Sequence, residues 1–328
     1  MSVQFEKAQA GDYGDVIDFG NYVFSQAHVP HDFPLLLPKL YKPEYFMDGI
    51  HYIAREDGRI RAIVGAYPLE MQVPGDVLSG RGIGLVSVHP YHRSRGFMKV
   101  LMNMALEDMK RDGMVFSGLG GQRQRYEYFG YVPAGFSCSF ECETANITHT
   151  LGRGFKTGLA LRRLSGGDEA LADYLYATHE SKPVRMLRQR DRFFDIISSW
   201  KSLAFVITEG QRPAGYLLYN PGGRLIHEIN LEDNSRAAEC IGLFLQAGEG
   251  PRDGVTVEIQ PWEGEKIAAF SRFAESYSIR PAWNLALFDY RRFLLPFLKL
   301  QSSLRTLPGG SFTLHIEGGP RLALGVSG

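Results

Sequence analysis

Hydrophobic and polar positions follow a strand period and then a helix period in the segment between Ile83 and Gly130. The apolar run from Ile83 to Val88 predicts a buried strand, and the polar residues after it predict a turn. Gly96 then precedes a stretch with apolar residues at helical spacing, which predicts an amphipathic helix. A further apolar run, Met114 to Leu119, predicts the next strand. The apolar face of the helix consists of Met98, Leu101, Met102, Ala105 and Met109.

The same pattern of hydrophobic and polar positions predicts the other elements of the first half of the chain. Glu56-Asp57-Gly58 supplies the turn chemistry of a hairpin, and Phe136 to Glu143 alternates as the strand that closes a first unit. The remaining predictions are a strand at Val3 to Ala8, a helix at Asp12 to Ser25, hairpin strands at His51 to Arg55 and Arg59 to Val73, and a strand at Val77 to Val88.

The second half repeats this order of elements after a polar, glycine-bearing stretch, Asn146 to Leu164, which predicts a linker with some strand content. We therefore expect a second unit of the same type. A short helix and a hairpin, Phe312 to Glu317 with Arg321 to Val326, are predicted within the final stretch from Arg291. The predicted elements of the second unit are helices at Asp168 to Ser181 and Asp191 to Lys201, strands at Leu203 to Thr208, Pro213 to Tyr219 and Leu225 to Leu231, a helix at Ser235 to Ala247, a strand at Val255 to Gln260, and a helix at Glu263 to Tyr277.

Composition limits the classes of function. The 328 residues are enough for two or three domains, and 44% hydrophobic with 22% charged residues is ordinary for a globular protein. The formal net charge is zero, so no global field favours nucleic acid or an anionic membrane. No apolar run approaches membrane-spanning length and no signal peptide opens the chain, which predicts a cytoplasmic protein.

Cysteine and histidine give weak signals. Cys138, Cys142 and Cys240 lack paired metal-ligand spacing, and the first two alternate with phenylalanines, so core packing is favoured over a nucleophile. His28 and His31 could bind a proton or a metal, but no third ligand lies at a useful spacing, and a plain loop position is the alternative. We therefore predict no metal.

The turn Arg93-Ser94-Arg95-Gly96-Phe97-Met98 carries the strongest chemical signal. A helix that begins directly after a strand offers unpaired backbone N–H groups and the positive end of its dipole. Gly96 lets the backbone approach a ligand closely, and the arginines add charge. These features predict a pyrophosphate site, although arginines at such a turn could also be merely solvated.

The run Val86 to Gly96, V-S-V-H-P-x-x-R-x-x-G, resembles the acyl-CoA signature of the GNAT N-acetyltransferases, with Met98 in place of the usual small last residue. The sequence Tyr126 to Tyr131, YEYFGY, is similar to the later Y-E-x-x-G-[FY] motif of that family, at the family's separation. The bacterial enhanced-intracellular-survival (Eis) branch is the closest resemblance, because it shares the H-R-x-R-G turn and a second GNAT-like domain. The motifs cover about the first 145 residues.

This resemblance implies a mixed α/β (α+β) GNAT fold in tandem. The implied domains are a catalytic one over residues 1–145, a degenerate one over 146–285, and a C-terminal helix and β-hairpin extension over 286–328 that resembles a truncated sterol-carrier-like domain. The second unit has Glu232-Asp233 where the first has its phosphate turn, and two carboxylates there should repel a pyrophosphate.

The resemblance also implies the reaction: acetyl transfer from acetyl-CoA to a primary amine of a small molecule or peptide. Tyr126 corresponds to the proton donor to the leaving sulfur, with a place in the core as the alternative. The implied coenzyme contacts are Val86, Ser87, Val88, Arg93, Ser94, Arg95, Gly96, Phe97, Met98, Lys99, Gly121 and Gln122.

Three points stay open at this stage. The general base could be the carboxylate of Gly328, a water relay, Glu70 or His31. The stretch from His28 to Pro38 could be an acceptor wall or a loop packed on the core. A non-catalytic acyl-CoA-binding or regulatory protein is the rival to an enzyme, and a homo-oligomer is compatible with either.

Overall fold

The computed structural model describes residues 2–27 and 29–326, and it confirms the predicted mixed α/β class. The strands are β1 Val3–Lys7, β2 His51–Glu56, β3 Arg59–Val73, β4 Asp76–Val88, β5 Phe116–Leu119, β6 Val132–Glu143, β7 Leu159–Arg163, β8 Arg185–Met186, β9 Leu203–Glu209, β10 Arg212–Asn220, β11 Leu225–Leu231, β12 Gly254–Ile259, β13 Ser276–Leu287, β14 Gly310–His315 and β15 Arg321–Val326. The α-helices are α1 Tyr13–Ala27, α2 Phe33–Leu36, α3 Pro38–Tyr41, α4 Phe97–Arg111, α5 Arg123–Tyr126, α6 Thr144–Leu151, α7 Glu169–Glu180, α8 Phe193–Ile197, α9 Ala237–Gln246, α10 Gly264–Phe270 and α11 Tyr290–Leu304.

Within these residues a single 13-stranded sheet runs through both halves of the chain, in the order β1-β2-β3-β4-β5-β13-β6-β12-β11-β10-β9-β7, with β8 beside β3. Strand β13 lies antiparallel between β5 and β6, and β6 lies antiparallel between β13 and β12. The strand that ends each half thus enters the part of the sheet built by the other. Because the halves exchange strands, the boundaries at residues 145 and 285 stay a prediction.

Each half contains two parallel strands joined by one amphipathic helix. In the first half α4 joins β4 to β5, and in the second α9 joins β11 to β12. The buried face of α4, which includes Leu101, Met102 and Ala105, packs on β2, β3 and β4 through a continuous core. The other face of the first half is covered by α1, α2 and α3 around Phe33, Tyr41 and Tyr67. The repeated element order predicted from the sequence is therefore present.

The second half has its own core, which contains all three cysteines. Burial raises the pKa of Cys142 above its usual range and that of Cys240 to about 12. A thiol held protonated in this way is a poor nucleophile, which favours the core reading of these residues. In the described part of the chain, no group of three or more His, Cys, Asp or Glu side chains is arranged to hold a metal ion.

Three predicted elements are wrong. The helix expected over Glu263 to Tyr277 ends at Phe270, and the residues from Ser276 form β13, which pairs with strands far away in the sequence. The strand content predicted for Asn146 to Leu164 is confirmed by β7, but the stretch is not a linker, since it also contains most of α6, and Ile147 is buried against the core under α9. The helix expected over Asp191 to Lys201 is interrupted, because Trp200 and Lys201 adopt positive φ values of 59° and 58°.

The predicted C-terminal hairpin is confirmed as β14 and β15, which form a separate two-stranded sheet after α11. Among the described residues, no helix combines the length and the apolar character that crossing a membrane requires.

Candidate active site at the edge between strands β4 and β5

Strands β4 and β5 separate at the level of Ile83. Their parallel pairing runs from Gly80 opposite Phe116 to Ile83 opposite Leu119, and β4 then continues alone on that side to Val88. The pairing of β4 with β3 shifts register at this level, and Leu85 has a φ of +52°, which marks a β-bulge. Backbone groups between Gly84 and Val88 therefore face a gap in the sheet rather than a neighbouring strand.

The turn after β4 presents backbone N–H groups. Ser94 and Gly96 both have positive φ values, 63° and 78°, and Gly96 is the residue before the first turn of α4. The first N–H groups of a helix have no partner inside it and lie at the positive end of its dipole. Since a Cβ at Gly96 would meet open space, the surface above this turn is accessible to a ligand. The geometry fits a pyrophosphate.

The charged residues of the turn play different parts. The Arg95 guanidinium donates two hydrogen bonds to Glu56, at 2.9 and 2.7 Å, and lies over the Phe97 ring. Arg93 is exposed and forms no ion pair with the described residues, and the Lys99 ammonium lies 4.9 Å from the centre of the Tyr128 ring. Arg93 and Lys99 are thus the cations of the turn that a phosphate could reach directly.

Tyr126 reaches the same edge from α5. The segment between β5 and α5 turns at Gly121, whose φ of +152° favours glycine, and a Cβ there would come within 2.8 Å of the Tyr126 ring. The Asn284 side-chain amide, on β13, donates a hydrogen bond of 3.3 Å to the Gly121 carbonyl. A strand from the second half of the chain therefore helps to position the segment that carries Tyr126.

Two neighbouring tyrosines, Tyr126 and Tyr131, differ in their burial and in their hydrogen bonding. Tyr131 is fully buried, its hydroxyl hydrogen bonds with Ser117 at 2.7 Å, and burial raises its pKa to about 12. Tyr126 is only partly buried, and its hydroxyl makes no hydrogen bond with the described part of the chain. Burial also raises the pKa of Tyr126, so its phenol stays protonated and available as a donor.

Several of the predicted coenzyme residues border the same core. Val86, Val88, Met98 and Tyr126 all pack against the core under α4. Ser87 is buried and its hydroxyl donates to the Leu85 carbonyl, which leaves only its backbone to contribute. The exposed residues at the rim of the site are Arg93, Ser94, Arg95, Gly96, Lys99, Gly121 and Gln122.

Residues 4–134 match the family model of the GNAT acetyltransferase domain. The first part of the chain is therefore similar to a GNAT acetyltransferase domain. A curated relative, an uncharacterized N-acetyltransferase of Streptomyces coelicolor, is 33% identical over 96 residues, which span 28% of this chain and 23% of the relative. The alignment thus reaches about a quarter of that protein's length.

Solved structures show the same fold over nearly the whole chain. A GCN5-related N-acetyltransferase from Kribbella flavida superposes with a TM-score of 0.63 at 18% identity, covering 99% of this chain and 83% of the other. Eis1 from Mycobacterium abscessus gives a TM-score of 0.60 at 17% identity, covering 95% and 78%. Saccharomyces cerevisiae N-myristoyltransferase, solved with bound myristoyl-CoA, gives 0.52 at 12% identity, covering 88% and 79%. These likenesses confirm the predicted GNAT fold and the Eis-like architecture.

Part of the predicted acceptor wall is core. Phe33, Leu37 and Tyr41 are buried in the layer that α1, α2 and α3 form on the sheet, whereas Leu35 is 65% exposed. Beneath this layer the Tyr41 and Tyr67 hydroxyls lie 2.6 Å apart. Within the predicted stretch, Phe33 and Leu37 are therefore core residues.

Two of the candidate bases, Glu70 and His31, lie among the described residues. Glu70 lies opposite Ser79, far along β4 from Val88, and the ring of His31 packs between Phe24 and Phe33. His28 and the carboxylate of Gly328 lie outside the described residues.

At the equivalent turn in the second half, between β11 and α9, side chains of the protein itself bond to the backbone and to each other. Asp233 accepts a hydrogen bond of 2.9 Å from the Ser235 backbone N–H, so a carboxylate occupies the start of the turn that leads into α9. Glu232 pairs with Arg212 at 2.6 Å. Beyond the last β11–β12 pair, the Lys266 ammonium bonds the Ile229 carbonyl at 2.6 Å. These contacts give a physical reason for the expected loss of coenzyme binding there.

Sequence reasoning missed two residues of the site. Glu56 reads as the polar end of a hairpin, and its contact with Arg95 spans 39 positions. Asn284 lies in the strand that was not predicted. Neither residue belongs to a motif, and only the pairing of distant strands brings them to the site.

Proposed function

We propose that this protein is an acetyl-CoA-dependent N-acetyltransferase that acts on a primary amine of a small molecule or peptide, through a ternary complex. The observation that carries the proposal is a set of three features around the core under α4: the open side of β4, the left-handed turn at Gly96 and the Tyr126 hydroxyl, which makes no hydrogen bond with the described residues. Each serves a separate part of the same substrate.

The backbone supplies most of the binding. N–H groups of residues 94–99 would hold the pyrophosphate at the positive end of α4, with Arg93 and Lys99 adding charge. Unpaired groups of Val86, Ser87 and Val88 would pair with the pantetheine arm as a neighbouring strand would, and a backbone N–H there would stabilise the oxyanion. Gly121 and Gln122 lie on the opposite side of the gap.

Tyr126 would act as the general acid. When the amine nitrogen attacks the thioester carbon, the C–S bond breaks and the sulfur leaves with the electron pair of that bond. The Tyr126 hydroxyl would give this sulfur its proton, and the proton lost by the amine would pass to solvent. Since burial raises the pKa of Tyr126, the phenol is protonated when the sulfur leaves. Because the phenol is a weak acid, the transfer of its proton to the sulfur depends on the electrostatic field of the site.

An amine screen tests the proposal. Purified protein and acetyl-CoA are incubated with a panel of primary amines of varied size and charge, and with lysine-containing peptides. The release of thiol and the acetylated product are measured together. We expect amine-dependent turnover with at least one acceptor, and no turnover with the matching tertiary amines. CoA binding without turnover on any amine would instead support the non-catalytic acyl-CoA-binding protein.

A further inference from the structure

We propose that Glu56 is the positioning residue of the phosphate turn, and that Arg95 acts through Glu56 rather than on the coenzyme itself. The inference rests on the proposed function and adds to it the device that shapes the anion site. It also gives Arg95 a different role from Arg93, although both belong to the same short motif.

Glu56 is the last residue of β2, and its side chain is only 8% exposed. Both of its carboxylate oxygens accept from the Arg95 guanidinium, and one of them lies 3.1 Å from the His92 Nε2. A buried carboxylate that holds one arginine through two bonds fixes geometry as well as charge. These contacts lower the pKa of Glu56 to about 2, so it is ionised throughout the physiological range.

The contacts of Glu56 bracket the residues that form the anion site. His92 precedes the two positive-φ residues, Ser94 and Gly96, and Arg95 lies between them. A non-glycine residue such as Ser94 reaches positive φ only at some cost in free energy, which the surroundings must offset. Two anchors to one fixed carboxylate provide that offset, and they keep the N–H groups of the turn directed outward.

The same contacts occupy Arg95. With two of its nitrogens on Glu56 and its plane over Phe97, its guanidinium is bound to the protein. Arg93 has no such partner among the described residues and stays exposed. Arg95 therefore contributes the shape of the turn, and Arg93 contributes the charge that a phosphate meets.

The test compares two thioesters on the full chain. Acetyl-CoA carries the phosphates, whereas acetyl-pantetheine carries the thioester arm without them. Glu56→Gln keeps the size of the side chain and removes its charge. We expect it to raise the KM for acetyl-CoA at least tenfold, with kcat and the kinetics on acetyl-pantetheine unchanged. Glu6→Gln is the matched control, because it removes a neighbouring glutamate–arginine pair, with Arg55, that does not touch the turn.

Calorimetry with CoA gives a readout that does not depend on turnover. Glu56→Gln and Arg95→Gln should weaken CoA binding by the same factor, and the double variant should be no weaker than either single one. A further tenfold loss in the double variant would show that Arg95 contacts the coenzyme itself, and unchanged CoA binding in Glu56→Gln would overturn the inference. If Glu56→Gln does not fold, Arg95→Lys replaces it, since a surface lysine cannot reproduce two parallel bonds; it should weaken CoA binding at least threefold.

The experiments distinguish a failure of the proposed function from a failure of the role given to Glu56. If the wild-type protein binds no CoA, the proposed function is wrong. If the wild type binds CoA and the Glu56 variant binds it equally well, only the role of Glu56 is wrong.

Discussion

Replacing Tyr126 with phenylalanine is the perturbation that best separates catalysis from packing. The hydroxyl makes no hydrogen bond within the described residues, while the ring packs beside Tyr131 and against Gly121. Removing the oxygen should therefore leave the free energy of unfolding within about 0.5 kcal/mol of wild type. General-acid catalysis typically contributes about two orders of magnitude, so kcat should fall about 100-fold, equivalent to about 2.7 kcal/mol.

Tyr131→Phe is the matched control, five residues away. Its hydroxyl is buried and bonded to Ser117, so its loss should lower the free energy of unfolding by about 1 kcal/mol while kcat changes little. Initial rates with one accepted amine, and urea unfolding of both variants, give the comparison. The affinity for CoA should stay near the wild-type value in Tyr126→Phe, since the lost interaction belongs to the transition state.

The pH dependence adds an independent check. Burial raises the pKa of Tyr126 above its usual value of 10.0, so the protonated phenol persists to higher pH than a free tyrosine. Loss of kcat through ionisation of this group should therefore occur at a higher pH than for a free tyrosine. Near-wild-type kcat in Tyr126→Phe would refute the general-acid role and return the residue to the core.

Three further predictions use other parts of the molecule. Gly96→Asp should weaken CoA binding at least tenfold by calorimetry, while Gly113→Asp, at the other end of α4 with a similar positive φ, should not. Calorimetry should return one CoA per chain; two equivalent sites would contradict the account of Asp233 as the group that fills the second turn. Burial lowers the pKa of His51 from 6.5 to about 4, so between these pH values only the unfolded chain takes up the proton. The free energy of unfolding is then highest above pH 6.5 and falls by about 3 kcal/mol as the pH decreases towards 4. Urea unfolding across this pH range should show a weaker dependence of the free energy of unfolding on pH in His51→Gln. His149→Gln, which alters an exposed residue, should keep the wild-type dependence.

The sequence predicted the elements whose signal is local. The helical spacing of Leu101, Met102 and Ala105, and the apolar run to Val88, reflect burial against a neighbouring layer, and both elements appear where expected. The turn before α4 was predictable for the same reason, because Gly96 and the polar residues before it are adjacent in the chain. The bulge at Leu85 was not predictable from the sequence, because it depends on the register of β4 with β3.

The parts that could not be predicted depend on distant partners. Strand β13 has exposed residues over much of its length, and it is a strand because β5 and β6 supply its hydrogen bonds. The helix α6 carries a single fully buried residue, Ile147, so its apolar period is weak. The engagement of Arg95 by Glu56 joins residues from separate strands and turns, and no local pattern marks it.

A crystal structure of the protein with bound CoA would show directly where the coenzyme and its thiol lie. We expect one CoA per chain, with the pyrophosphate on the backbone N–H groups of residues 94–99 and the pantetheine arm beside Val86 to Val88. The thiol should then lie within about 3.5 Å of the Tyr126 hydroxyl. Coenzyme bound elsewhere, or a sulfur far from Tyr126 with the turn unoccupied, would contradict this expectation.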